Sequence, residues 1–202
     1  MRSSGSKISG AFLTDSANLQ NIRDDQDYLR AMIIYWAAPV IAEAKPSVLV
    51  SLTQSRRGFY HLWEKYKKDL MPKLHLEYIE LRTSAAGVLV LFFDSVLLRR
   101  ALGKEANQEF LAGCGYPEGG SLDAYLEILK ERFAAFCPHE VGVFLGIPVE
   151  DVTGFIKNEG KGYLLNDYWK VYHNPRKAKK TFALFDKARS DAVSFLQYGF
   201  NH

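Results

Sequence analysis

Hydrophobic residues recur along the chain with two different spacings. In several stretches they return every three or four residues, which is typical of one buried face of a helix. This spacing predicts helices over Asp24 to Ala38, Gly58 to Met71, Asp94 to Leu102, Lys104 to Ala112, Ser121 to Phe136 and from Asn174 onward. Prolines are expected to interrupt the first two, with Pro39 kinking or ending one helix and Pro72 stopping the other.

Short apolar runs between these helices predict strands. They cover Pro46 to Thr53, Leu74 to Arg82, Val88 to Phe93 and Tyr168 to His173. The third run is apolar on both faces, which predicts a central strand, and the turn before it predicts a hairpin with the second. The expected fold class is α/β (α+β), with a small mixed sheet of about four strands surrounded by helices. Residues 17–202 are predicted to form a single domain, and the Ser/Gly-rich residues 1–16 a mobile N-terminal segment.

The stretch from Phe136 to Asn158 is the densest motif in the chain. Pro138 suits the first position of a helix, where a missing N–H costs nothing. Cys137 would then be the N-cap residue, and Glu140 would reach back to it as in a capping box. Gly146 suits the left-handed position that ends a short helix.

A second helix is predicted from Pro148, because apolar residues follow it at helical spacing. Two short helices joined by a Gly-Ile-Pro turn give residues 138–158 a helix-turn-helix outline. The second helix begins with Glu150 and Asp151, whose carboxylates would repel phosphate groups. The sequence therefore argues against nucleic acid as a partner.

The same motif carries a family resemblance. It reads Pro-His-Glu-Val-Gly-Val-Phe-Leu-Gly-Ile-Pro from Pro138 to Pro148, and continues with Glu150-Asp151-Val152, Gly154-Phe155-Ile156 and Tyr168-Trp169-Lys170-Val171-Tyr172. With these residues the chain resembles an uncharacterised bacterial family, domain of unknown function 3793, over most of its length from about Tyr35 to about Arg189. The resemblance implies no activity, cofactor or catalytic residue. Members of that family have an aromatic residue where this chain has Cys137, which argues against an essential role for the thiol.

Composition and charge indicate the cellular compartment of the protein but not its chemistry. The 202 residues carry a formal net charge of +3, which is too small to indicate a polyanionic partner. The two cysteines, Cys114 and Cys137, form neither a Cys-x-x-Cys pair nor a disulfide framework, as expected in a reducing compartment. The longest apolar run, Ala85 to Phe93, is far shorter than a membrane span, and no secretory signal is visible. We therefore predict a soluble cytoplasmic protein with no membrane contact.

Cys137, His139 and Glu140 are the first candidates for a functional site. They combine a nucleophile, a base and a carboxylate, and exposed N–H groups at a helix start can activate a thiol. Adjacent residues in one helical turn point in different directions, so a structural cap and histidine are favoured over catalysis. The same side chains could bind a metal together with His61 or His173. Because no spacing typical of a metal site occurs, no metal is assigned.

Arg56 and Arg57 form the second candidate site, between a predicted strand and a predicted helix. Two guanidinium groups and the N–H groups of a helix start would suit a phosphate or a carboxylate. The spacing of a Walker motif is absent, and an ordinary polar turn is the competing interpretation.

The predicted function is the binding of a small ligand or cofactor near the Pro-His-Glu helix start, with reaction and cofactor unknown. The alternative is a non-enzymatic module that contacts protein or nucleic acid and in which the motif is architectural. A concave site containing His139 and Glu140 would favour the first prediction. Burial of both residues with satisfied hydrogen bonds would favour the second.

Overall fold

The computed structural model describes Leu19, residues 22–54 and residues 57–200, without the side chains of residues 199 and 200. The helices in these ranges are α1 (Asp25–Ile41), α2 (Phe59–Leu74), α3 (Ser95–Leu102), α4 (Glu105–Gly113), α5 (Leu122–Ala135), α6 (Val141–Phe144), α7 (Val149–Lys157) and α8 (Pro175–Phe200). The strands are β1 (Ser47–Thr53), β2 (Glu77–Ser84), β3 (Gly87–Phe93), β4 (Leu165–Asn166) and β5 (Lys170–Val171). The predicted mobile segment, residues 1–16, lies outside the described residues.

The main sheet has three antiparallel strands in the order β1-β3-β2. The apolar strand β3 lies in its centre and forms a hairpin with β2, as predicted. The predicted fold class is confirmed, since helices surround a small sheet. The fourth predicted strand does not join that sheet. Only Lys170 and Val171 of it are extended, and they pair with Leu165 and Asn166 in a separate hairpin.

Both prolines lie inside the helices that they were expected to interrupt. Pro39 is in the last turn of α1, and α2 runs past Pro72 to Leu74, so the predicted stop at Pro72 was wrong. A proline removes one hydrogen bond, and near a helix C-terminus little helix remains to be disturbed. The Pro39 carbonyl accepts hydrogen bonds from the N–H groups of Ala44 and Lys45 at 2.9 and 3.0 Å. These bonds fix the backbone that connects α1 to β1.

The sheet separates two hydrophobic cores. Alternate residues of β3 face opposite sides, with Val90 and Phe92 in one core and Leu91 and Phe93 in the other. The first core contains buried residues of α1 and α2, and also residues near the end of α8. The second contains residues of α3 to α7, so the motif is part of its wall.

The end of the motif helix α6 is attached to the start of β1. The buried hydroxyl of Ser47 donates to the carbonyl of Phe144 at 2.8 Å. Gly146 has the predicted left-handed conformation, with φ of 74°. A Cβ atom on Gly146 would lie 2.6 Å from Cδ of Pro46, so only glycine permits this contact. The motif therefore supports the same connection that leads from α1 into the sheet.

Candidate functional site

The predicted capping box at the motif does not form. α6 begins at Val141 with Glu140 in the cap position, so Pro138 precedes the helix instead of opening it. Cys137 is exposed, whereas Glu140 is 5% exposed and bonds to Arg132 of α5. A guanidinium is a stronger partner for a buried carboxylate than a backbone N–H group, which explains why the box is replaced.

Glu140 forms an ion pair with Arg132, next to the side chains of Tyr116 and Cys114. Arg132 Nη1 donates to Glu140 Oε1 at 2.9 Å, and the Tyr116 hydroxyl lies 3.5 Å from the same oxygen. Arg132 also donates through Nη2 to the carbonyl of Cys114. Burial, and then the Glu140 charge, raise the pKa of the Tyr116 phenol and of the Cys114 thiol. Both groups stay protonated around the pair, which joins the motif to α5.

His139 lies on the surface, next to the buried glutamate. Its ring meets the Phe155 ring edge-on, with centroids 5.3 Å apart. Its imidazole makes no hydrogen bond to another residue in the described part of the chain. The structure thus separates the predicted trio into an exposed thiol, an exposed imidazole and a buried, paired carboxylate. A functional role for these side chains stays a prediction.

Asp151 is a second buried carboxylate of the motif, and it is 1% exposed. Its oxygens accept hydrogen bonds from Trp169 Nε1 at 2.8 Å and from the backbone N–H groups of Tyr172 and His173 at 2.7 and 2.8 Å. These bonds connect α7 to the hairpin of β4 and β5. Only Glu150 of the two acids at the helix start is exposed, so the predicted second surface carboxylate was wrong.

Arg57 connects the starts of α1 and α2. Its guanidinium donates to two backbone carbonyls just before α1, at 2.6 and 2.9 Å, and to the Asp25 carboxylate at 3.2 Å. It also lies 4.3 Å from the centre of the Tyr28 ring. Arg56 lies outside the described residues. The anion site at this pair stays a prediction, but Arg57 donors are already used within the chain.

A cavity of about 360 Å³ lies beside β1 and next to Leu145 of the motif. Its walls are largely apolar, and two cationic side chains and one hydroxyl also line it. The lining includes Trp36, Val48, Val50, Leu145, Ser51, Lys45 and Arg189. Leu145 belongs to the motif, immediately before the Gly146 turn.

Lys45 is the unusual residue of this cavity. It is only partly exposed, and its ammonium lies 5.5 Å from the centre of the Phe185 ring. It has no ion pair with an acidic side chain anywhere in the described ranges. Loss of hydration, and then the charge of Arg189, lower the pKa of Lys45 from 10.5 to about 8. An appreciable fraction of the amine is therefore neutral near physiological pH.

Arg189 is oriented by Tyr168, which belongs to the segment Tyr168 to Tyr172 that carries part of the family resemblance. Its Nη1 donates to the hydroxyl of Tyr168 at 2.6 Å, and that hydroxyl donates to Asp186 Oδ1 at 2.6 Å. The guanidinium also lies 5.0 Å from the centre of the Tyr168 ring and 6.0 Å from that of Tyr35. Burial, and then the bond to Asp186, raise the pKa of Tyr168, so the phenol remains a hydrogen-bond donor.

The sequence-based prediction missed both Lys45 and Arg189. Arg189 follows Phe182 by seven residues and Phe185 by four, so its position on the buried face of α8 was readable from helical spacing. Lys45 left no such signal. It stands before Pro46 in a short connection, where a lysine is ordinarily exposed to solvent.

Two other cavities are less suited to bind a charged group. One of about 340 Å³ lies along Gly146 to Asp151, and its basic residues Lys104, His173 and Lys177 are exposed to solvent. Another of about 580 Å³ lies between α3, α4 and α5, where Arg99 and Asp123 are both among its lining residues. In neither cavity is a lining cation withdrawn from water, since Arg99 is exposed as well.

Residues 19, 22–54 and 57–200 contain neither a candidate metal site nor a candidate membrane span. No group of three or more His, Cys, Asp or Glu side chains there could hold a metal ion. No helix in that part of the chain is long and apolar enough to cross a membrane.

Comparison with known proteins gives a family but no characterised relative. No curated protein and no solved structure matches the chain. A family model described as "Protein of unknown function (DUF3793)" matches residues 33–202, which include the motif, Lys45 and Arg189. The resemblance seen in the motif is thereby confirmed, and the chain belongs to the DUF3793 family of proteins of unknown function.

Proposed function

We propose that this protein binds a small anionic ligand beside its motif, in the cavity that Lys45 and Arg189 line. The observation that supports this most is the Lys45 ammonium, which is partly desolvated and has no acidic partner in the described chain. A cation in such a place costs folding free energy unless an anion compensates it. A carboxylate or phosphate group of a ligand would supply that compensation.

The size and walls of the cavity support a small ligand. A volume of about 360 Å³ is near the lower end of small-molecule sites, which range over roughly 300–1,000 Å³. Trp36, Val48 and Leu145 give it apolar surface, while Lys45 and Arg189 give it positive charge. This combination suits a compact organic anion. It also agrees with a binding role near the motif, since Leu145 belongs to the motif and Tyr168 orients Arg189.

A second candidate function is an interaction module in which the motif is architectural. Glu140 and Asp151 favour it, because both carboxylates are buried and bonded to partners within the chain. Large apolar side chains also lie exposed within and beside the motif, as an interaction surface requires. They are Phe136, Ile156, Tyr163 and Leu164.

Calorimetric titration with acetate and with inorganic phosphate tests the ligand-binding proposal. The wild type is compared with Lys45→Met, which removes the charge at similar volume. Lys45→Arg keeps the charge, and Lys179→Met removes an exposed charge on the same helix as Arg189.

We expect saturable binding of at least one of these anions to the wild type. Lys45→Met should weaken it at least about tenfold, whereas Lys45→Arg and Lys179→Met should stay within about threefold, since an exposed charge contributes little. Binding that is equal in the wild type and Lys45→Met, or absent for both anions, would overturn the proposal and favour the interaction module.

A further inference from the structure

We infer that Lys45 forms an imine with a small carbonyl compound that carries an anionic group, and that the cavity beside β1 is the site of this reaction. The inference deepens the proposed anion site and rests on it. The anionic group would lie with Arg189, and the carbonyl carbon with the Lys45 amine.

The surroundings of Lys45 favour the neutral amine, which is the nucleophilic form. A lysine becomes nucleophilic when it is desolvated or lies near another cation, and both conditions hold here. Among the described residues no carboxylate pairs with its ammonium and keeps it protonated. Lysines such as Lys179 are exposed to solvent and remain hydrated.

The walls of the cavity favour the loss of water that completes an imine. The ring of Phe185 lies 5.5 Å from the amine, and Trp36 and Val48 add further apolar surface. Water is a product of the step, so apolar surface next to the amine favours the imine. The hydroxyl of Ser51 also lines the cavity and is the polar group available to exchange a proton there.

The reaction is balanced without any further reactant. The nitrogen lone pair of Lys45 attacks the carbonyl carbon, and a proton moves from nitrogen to oxygen to give a carbinolamine. The carbon–oxygen bond then breaks, water leaves, and a carbon–nitrogen double bond remains. Nothing is oxidised or reduced, and hydrolysis reverses the step.

Reductive trapping tests the inference directly. The protein is incubated at pH 8 with glyoxylate and sodium cyanoborohydride, and peptide mass spectrometry locates the carboxymethyl groups that reduction of the imine leaves. Propanal, an aldehyde without an anionic group, is the control reagent. The variants are Lys45→Arg, which cannot form the imine, Arg189→Met, and Lys179→Met as the surface control.

We expect glyoxylate to modify Lys45 at least about ten times faster than Lys179, because desolvation and the charge of Arg189 favour the neutral, nucleophilic form of the Lys45 amine. Propanal should also prefer Lys45, since the amine is the same, but its preference should be at least about fivefold smaller because it has no anionic group to lie with Arg189. Arg189→Met should reduce the glyoxylate rate at least about fivefold. Modification of Lys45 no faster than of Lys179 would overturn the inference. An equal ratio of the Lys45 rate to the Lys179 rate for glyoxylate and propanal would overturn the role of the anionic group.

The Lys45→Arg variant separates this inference from the proposed function. It keeps a cation in the cavity, so binding of acetate or phosphate, neither of which can form an imine, should persist while trapping at residue 45 is lost. If the wild type binds these anions but is not trapped, the covalent step is wrong and the anion site stands. If it neither binds nor is trapped, both are wrong.

Discussion

The buried carboxylates of the motif and the amine of Lys45 differ in whether the chain supplies a partner for a charge that is withdrawn from water. Asp151 accepts three hydrogen bonds, and Glu140 is paired with Arg132. Each is satisfied entirely within the chain. Lys45 is also withdrawn from water, but no acidic side chain in the described ranges neutralises it. The motif is the stretch richest in potentially reactive side chains, yet its buried carboxylates contribute to folding. The charge without an acidic partner in the described chain, that of Lys45, lies beside the motif.

This contrast separates two reasons for burying a charge. A satisfied carboxylate stabilises a particular arrangement of elements, and its removal leaves donors without partners. A desolvated cation without a partner lowers stability, and such a cost is typical of groups retained for activity. Stability measurements can therefore assign each residue to one class.

The largest expected effect is at Asp151. Asp151→Ala should reduce the free energy of unfolding by about 3–5 kcal/mol, because three donors lose a charged acceptor in a buried site. Denaturant titration followed by tryptophan fluorescence measures it. Glu150→Ala, one residue earlier and exposed, should change stability by less than about 0.5 kcal/mol. A similar small change for Asp151→Ala would contradict its architectural role.

A somewhat smaller loss is expected at Glu140. Glu140→Ala should cost about 2–4 kcal/mol, since it leaves Arg132 without its carboxylate, although Arg132 is 30% exposed and keeps some hydration. The double variant Glu140→Ala with Arg132→Met should be more stable than the sum of the two single changes by at least about 1 kcal/mol. Additive losses would show that the two residues stabilise the fold independently.

Lys45 should behave in the opposite way. Lys45→Met should raise stability at pH 7 by about 1–3 kcal/mol, since it removes a desolvated charge. The pKa of Lys45 is about 8 in the folded protein, whereas that of a lysine in the unfolded chain is 10.5. Between these two pH values the unfolded chain therefore binds more protons than the folded protein. Wild-type stability therefore rises over that pH range, and the advantage of the variant should fade toward pH 10.5.

Unfolding titrations of both proteins at pH 7, 8.5 and 10 measure this difference. The surface control Lys179→Met should match the wild type at each pH. An advantage for Lys45→Met that is absent at pH 7, or unchanged at pH 10, would show that the lysine is well hydrated in the folded protein.

The sequence predicted the elements better than it predicted the environments of their charged residues. The helical spacing that starts at Ser121 and the two apolar faces of β3 were sufficient to locate a helix and a central strand. These features depend on local periodicity. The partners of Glu140 and Asp151 come from residues eight and eighteen or more positions away, so only tertiary packing reveals them. The burial of Lys45 depends on α8, which is more than 100 residues later.

The smallest expected effect is at His139, which like Cys137 is an exposed side chain of the motif trio. His139→Ala should change the free energy of unfolding by less than about 0.5 kcal/mol, because only the edge contact with Phe155 is lost. His61→Ala, an exposed histidine on α2, is the matched control. A loss of 1 kcal/mol or more, on the order of a buried hydrogen bond, would place His139 with the satisfied carboxylates. An unchanged stability would leave it as the motif residue to test next for an effect on anion binding, since it would then contribute nothing measurable to the fold.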